Sequence, residues 1–222
     1  NRLLKFTSRA ILLLGLVVSS MGSASAQIAM TRSTFLGDYI PITVAGGATA
    51  ATAAQADFGI ATAVPIGFTF NYLGTPYTTF SVASDGWMSF TATAATATNT
   101  NLFTTTAPNA TLAPWFDDIT SSSVLVQTTG TPGAQVCIIQ WNSFSYWNST
   151  RPIEFQVLLY EGTNEIEFIY NAASTVGATS TSESASIGIE SQTGGLNQFI
   201  DAISGSSVIS NSTMQTIQPY LY

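Results

Sequence analysis

Between residues 153 and 170 apolar and polar side chains alternate with a period of two. Ile153, Phe155, Val157 and Leu159 share one parity; Glu154, Gln156, Leu158 and Tyr160 share the other. After the connector Glu161-Gly162-Thr163-Asn164, Ile166, Phe168 and Tyr170 alternate with Glu165, Glu167 and Ile169. Successive strand side chains point to opposite faces, whereas a helix face repeats every ~3.6 residues, so this stretch is expected to form two strands with one buried face. The short connector suits a hairpin loop. The polar parity places Glu154, Glu165 and Glu167 toward water, which accounts for them without any chemistry.

Similar β-branched and aromatic runs recur along the chain, separated by Gly, Asn, Asp, Ser and Thr. Residues 65–72 form one. Residues 79–83 and 87–90 flank Asp85-Gly86, a pair that tolerates the positive φ of a tight turn and predicts a hairpin. Residues 124–128, 134–144, 184–190 and 214–220 supply further strands. Roughly ten strands with turn signals between them predict an all-β fold, a jelly-roll-like antiparallel β-sandwich in a single domain. Residues 45–56, 91–111 and 172–186 consist largely of Ala, Thr, Ser, Gly and Asn. They are expected to be pliable surface loops with little side chain to pack. Cys137 stands between Val136 and Ile138 with no cationic neighbour to stabilise a thiolate, and is expected to be a small buried apolar group.

The first 26 residues have the three parts of a secretory signal: basic Arg2, Lys5 and Arg9, an apolar run over residues 10–18, and Ala24-Ser25-Ala26 as a small-residue cleavage site. The expectation is a cleaved signal peptide over 1–26 and an extracellular or cell-surface domain over 27–222. The apolar run falls short of the ~20 residues a bilayer span needs, so no membrane insertion of the mature chain is expected. Beyond residue 26 only Arg32 and Arg151 face twelve carboxylates, giving a formal charge of 2 − 12 = −10. Nucleic-acid backbones are bound by Lys and Arg, so no nucleic-acid partner is expected.

The same composition narrows the chemistry. The chain has no His, and no Lys follows Lys5. A Ser-His-Asp device, a His-containing zinc site and a Schiff-base lysine are therefore unavailable to the domain. Carboxylates alone can hydrolyse a glycoside when two flank the bond, and Glu154, Glu165, Glu167, Asp117 and Asp118 are the supply for that less favoured reading. Asp117-Asp118, after Ala113-Pro114-Trp115-Phe116, are candidate Ca2+ ligands, with Asp85 joining them only where the fold brings it close. Adjacent residues on a strand point to opposite faces, and the other reading is that one Asp caps a turn through its own backbone. No other cofactor is expected. Trp147 and Tyr146, at a strand end beside Asn148-Ser149-Thr150, are candidate ligand-binding aromatics for stacking on sugars. Trp87, Trp115 and Trp141 are expected in the core. Asn109, Asn148 and Asn211 each open an Asn-X-Thr triplet, which arises by chance in so Ser/Thr-rich a chain.

Certain segments carry a likeness to a known family. VPIGFTFNYLGTPYTTFSVASDGWMSF (64–90), LAPWFDDI (112–119), VCIIQWNSFSYW (136–147), IEFQVLLYEGTNEIEFIY (153–170) and SASIGIE (184–190) follow in order. Together they resemble a β-sandwich module of large secreted and surface proteins of Bacteroidetes-type bacteria, itself distantly similar to nidogen-type extracellular domains. The resemblance spans about residues 39–190. It implies an extracellular setting and a role in adhesion or surface architecture, and brings no catalytic residues with it. The expected function is thus a non-catalytic secreted or cell-surface subunit, adhesive or structural, including a fibre-forming version in which a strand edge or residues 27–35 add to a neighbour's sheet. Its partners would be further copies of itself, other surface proteins or glycans. The alternative of another class is a carbohydrate-binding module using Tyr146 and Trp147.

Overall fold

The computed structural model describes residues 30, 32–34, 37–94, 105–120, 123–146, 153–171, 183–194, 199–203, 208–209 and 220–221. The strands run in chain order as β1 (Ser33–Thr34), β2 (Thr49–Ala50), β3 (Ile60–Tyr72), β4 (Thr75–Ala83), β5 (Trp87–Ser89) and β6 (Thr111–Phe116). Next come β7 (Ile119–Thr120), β8 (Ser123–Thr131), β9 (Ala134–Tyr146), β10 (Ile153–Tyr160) and β11 (Ile166–Tyr170). The last are β12 (Glu183–Ser184), β13 (Ser186–Glu190), β14 (Phe199–Ile203), β15 (Val208–Ile209) and β16 (Tyr220–Leu221). Two 3-10 turns, Val44–Gly46 and Thr52–Ala54, flank β2. The segment 1–26 lies outside the described residues.

All strand pairs are antiparallel and fall into two main sheets. One has the order β1-β16-β11-β10-β9-β8-β2, with β7 also on β9; the other has the order β14-β13-β6-β5-β4-β3. The small β12–β15 ribbon stands apart. Strands β3 to β6 form a meander in the second sheet and β8 to β11 a meander in the first. The chain crosses between the sheets at Asp117-Asp118, between β6 and β7, and returns through β13, which pairs with β6. The result is an antiparallel β-sandwich, as the alternation predicts.

The β10–β11 hairpin forms as expected, and its register sets Leu159 opposite Ile166 and Phe155 opposite Tyr170. Its apolar parity is buried between the sheets: Phe155, Val157, Leu159, Ile166 and Phe168 are fully covered. Ile66, Phe70 and Tyr72 of β3 meet them from the other layer. Each such side chain removed from water contributes ~1.5–3 kcal/mol. Trp115, Trp141 and Phe155 stack at the centre, with ring centroids 6.5 Å apart for Trp115–Phe155 and 5.1 Å for Trp141–Phe155. The polar ends of these aromatics reach across the layers: Trp141 Nε1 donates to Ala83 O at 2.9 Å and Tyr170 OH to Pro114 O at 2.8 Å. The three tryptophans expected in the core are there, fully buried.

The outer face of the first sheet departs from expectation. Glu165 is exposed and Glu154 and Glu167 are half-buried, but Gln140 and Gln156, directly opposite each other on β9 and β10, are buried. The segment around Ile40 to Ile42 crosses over them. Gln140 Oε1 accepts from Ile42 N at 2.8 Å and its Nε2 donates to Ile42 O at 3.1 Å, while Gln156 Nε2 donates to Ile40 O at 2.8 Å. These amides supply backbone partners to a strap that has no strand beside it.

The Ala/Thr-rich stretch 45–56 is mostly exposed, as expected of a surface loop, but three of its alanines pack inward. Ala48, Ala51 and Ala54 are buried, and the Thr52–Ala54 turn lies against β3 and β8. A methyl is small enough for backbone to approach backbone, so small residues mark close packing here. In the stretch 91–111, Ala92, Ala110 and Thr111 are buried, and residues 95–104 lie outside the described set. Most of 172–186 lies outside it too.

Candidate functional site

Three turns converge where the chain crosses between the sheets. The first is Ser84-Asp85-Gly86, joining β4 to β5. Gly86 has φ +75°, and a Cβ there would stand 1.8 Å from Trp115 O. Only glycine lets this turn lie flat on β6, where Trp115 N donates to Gly86 O at 3.1 Å and Asp117 N to Asp85 O at 3.3 Å. The second turn precedes β3. Ser84 N donates to Gly59 O at 2.9 Å, and Gly59 N donates back to Ser84 Oγ at 3.0 Å. This reciprocal pair clamps the loop carrying Asp57 onto the first turn. The third turn is Asp117-Asp118 itself.

The clamps bring carboxylates together. One oxygen each from Asp57, Asp85 and Asp118 lies within 4.8 Å of the other two. Asp57 is exposed, Asp118 half-buried and Asp85 fully buried. Ser84 Oγ donates to Asp85 Oδ1 over a long 3.4 Å, and Asp85 Oδ2 has no hydrogen-bond partner among the described residues. Burial pushes the Asp85 carboxyl up to about 7; the Asp118 charge adds to this, the Ser84 hydroxyl opposes it, and Asp57 and Asp117 add smaller repulsions. Burial and then Asp57 raise the Asp118 carboxyl as well. Arg32 is the only basic side chain among the described residues. An oxygen-only group of this kind suits a hard cation.

The two aspartates expected as ligands therefore part company. Asp118 enters the group, and Asp85 joins it. Asp117 is buried and accepts the Asp118 backbone N–H at 2.7 Å, capping the turn through its side chain. Asp57 escapes sequence reading because it borders a low-complexity stretch and owes its position to Gly59, whose Cβ would stand 2.5 Å from Ala53 O.

The other candidates fall elsewhere. The backbone of Tyr146 pairs with Ile119, the residue after Asp118, while its side chain and all of Trp147 lie outside what is described. Glu154 accepts from Asn171 Nδ2 and Glu167 from Tyr160 OH, each at 2.7 Å, on the outer face of β10 and β11. Cys137 is buried on β9, and burial pushes its thiol up to about 12. In the triplet at Asn109, Thr111 is fully buried and donates to Pro108 O at 3.1 Å; Asn148 and Asn211 lie outside the described residues.

The sandwich of two meanders carries an Asp-Gly hairpin ahead of the Ala-Pro-Trp-Phe-Asp segment. The family described as NIDO related matches residues 30–220. The chain belongs to the NIDO-related family. NIDO-related domains are an extracellular, non-enzymatic type of domain. No similar curated protein and no similar solved structure was found. Among the described residues of this NIDO-related chain, no helix is long and apolar enough to cross a membrane.

Proposed function

We propose that this NIDO-related domain is a non-catalytic secreted or cell-surface subunit, exported through the segment 1–26, that works in adhesion or extracellular architecture. The observation that carries this reading is the family match over residues 30–220. The acidic balance of twelve carboxylates against two arginines after residue 26 supports protein or glycan partners over nucleic acid.

The geometry also bears on the fibre-forming version. β3 ends the second sheet, and a free strand edge is a template for another chain. Side chains from elsewhere already engage several of its backbone groups. Thr128 Oγ1 donates to Ile66 O at 2.6 Å, Gln192 Nε2 donates to Tyr72 O at 2.7 Å, and Asn71 N donates to Asn164 Oδ1 at 2.9 Å. Pro65 lacks an N–H altogether. At the other sheet's end, Ser33 and Thr34 pair with Leu221 and Tyr220 of the same chain. Self-association by strand addition would thus start at β14, by displacing β1, or along β8, which β2 covers at only two residues.

The test is sedimentation velocity and negative-stain microscopy of the purified chain at rising concentration, alongside a panel of matrix proteins and glycans. Concentration-dependent assembly or saturable capture by a surface component supports the reading. A strict monomer that captures nothing on the panel counts against it. The carbohydrate-binding reading rests on the sequence, which sets Tyr146 and Trp147 side by side where β9 ends. It predicts glycan capture that Trp147→Ala abolishes.

A further inference from the structure

We propose that Asp57, Asp85 and Asp118 bind one Ca2+ ion, which ties together the three turns at the crossover between the sheets. Two independent observations support it. The carboxylates come from three separate turns, yet one oxygen of each lies within 4.8 Å of the others. Oxygens held by one Ca2+ at about 2.4 Å stand at most about 4.8 Å apart, so the group can close on the ion with little rearrangement. Separately, Asp85 is fully buried and its Oδ2 has no hydrogen-bond partner among the described residues. A buried carboxylate is costly unless it is paired or coordinates a metal. The mutual repulsion that Asp57 and Asp118 exert on Asp85 turns into attraction once a divalent charge sits among them.

The ligand set points to calcium in particular. It offers oxygen alone, with no imidazole or thiolate to favour zinc or copper. Asp57 is exposed, so waters complete the six to eight oxygens that Ca2+ takes. Mg2+ requires shorter bonds and near-ideal octahedral geometry, which side chains from three independent turns do not preset. An ion here would restrain the entry to β3, the β4–β5 turn and the step from β6 to β7. Binding of the ion does not depend on the adhesive or structural role.

The test is titration of the purified full chain with CaCl2 at constant ionic strength, read by calorimetry and by the thermal midpoint. The expected dissociation constant is ~0.1–1 mM, the range of extracellular modules, and ~10 mM Ca2+ should raise the midpoint by ~3–10 °C. MgCl2 at the same concentration should give a clearly smaller shift. Asp57→Asn, at an exposed position, and Asp118→Asn should each weaken binding at least ~tenfold, since even outer-shell partners of a metal site cost that much when lost. Glu165→Gln, on the exposed outer face, should leave it unchanged. Absence of both heat and midpoint shift at ~10 mM Ca2+ overturns the proposal. So does an equal response to Mg2+, or a full response retained by both Asp variants.

Discussion

The indole N–H of Trp141, on β9, donates to the carbonyl of Ala83, at the end of β4, over 2.9 Å and across the two sheets. Ala83 immediately precedes the Ser84-Asp85-Gly86 turn, so this one bond fixes the distance between the layers beside the converging aspartates. Both residues are fully buried.

Trp141→Phe keeps an aromatic ring against Phe155 but withdraws that donor. Leaving a buried carbonyl short of its partner costs ~1–3 kcal/mol, to which the lost ring volume adds. A chemical denaturation curve should show a lower midpoint with an unchanged slope. A midpoint equal to the parent's would show that the bond contributes nothing.

Gln140 anchors the strap over the outer face. Gln140→Leu preserves the bulk but deprives Ile42 of partners for both its N–H and its C=O, and removes the acceptor for Gln156 Nε2 at 2.7 Å. The expected loss is ~2–4 kcal/mol, since several groups of one buried network are orphaned together. Limited proteolysis should then cut near residues 40–46 faster than in the parent, whereas slower or equal cleavage would argue that the strap is held by its apolar contacts.

Gly86→Ala places a methyl on the Trp115 carbonyl and forces φ +75° on a residue that disfavours it. The turn must lift from β6, at a cost of at least ~2 kcal/mol. The thermal midpoint measures this. Gly74→Ala is the comparison: it also has positive φ, but nothing lies within 4 Å of its Cβ position, so only the strain of φ is felt and the loss should be smaller.

The Cys137 thiol ionises near 12 in the folded chain against 9.0 for an unperturbed one, because burial disfavours the thiolate. Above pH 9 the unfolded chain releases this proton while the folded chain retains it. This group's contribution is therefore complete below pH 9 and declines as pH rises from there toward 12. At pH 8, iodoacetamide should leave the native protein unmodified and label it fully in denaturant. Rapid labelling of the native protein would show that the site opens locally.

Much of the sandwich was legible in single residues. The parity of Ile153 to Leu159 named the buried face of β10, and Asp85-Gly86 named the turn between β4 and β5. Reading the acidic parity as wholly solvated missed the strap, because a run of alternating residues reports which side chains share a face, and nothing about what later lies on that face. Gln140 and Gln156 were the available signal: long amides among apolar neighbours can serve a backbone that has no strand of its own. Most of the low-complexity stretch 45–56 is surface, as read, and only its three packed alanines escaped notice, since alanine's small side chain permits both loose exposure and the closest packing.

The sequence by itself determined the class of fold, the extracellular character of the family and the absence of histidine chemistry, because alternation, family likeness and composition are properties of the chain as written. Which carboxylates meet was decided by the tertiary structure alone. Asp57, Asp85 and Asp118 are distant along the chain, and their approach depends on two glycines fitting where no Cβ has room and on reciprocal bonds between Gly59 and Ser84. Local pattern sets the face on which a residue lies. Only the packing of one turn on another brings together charges that would otherwise keep apart.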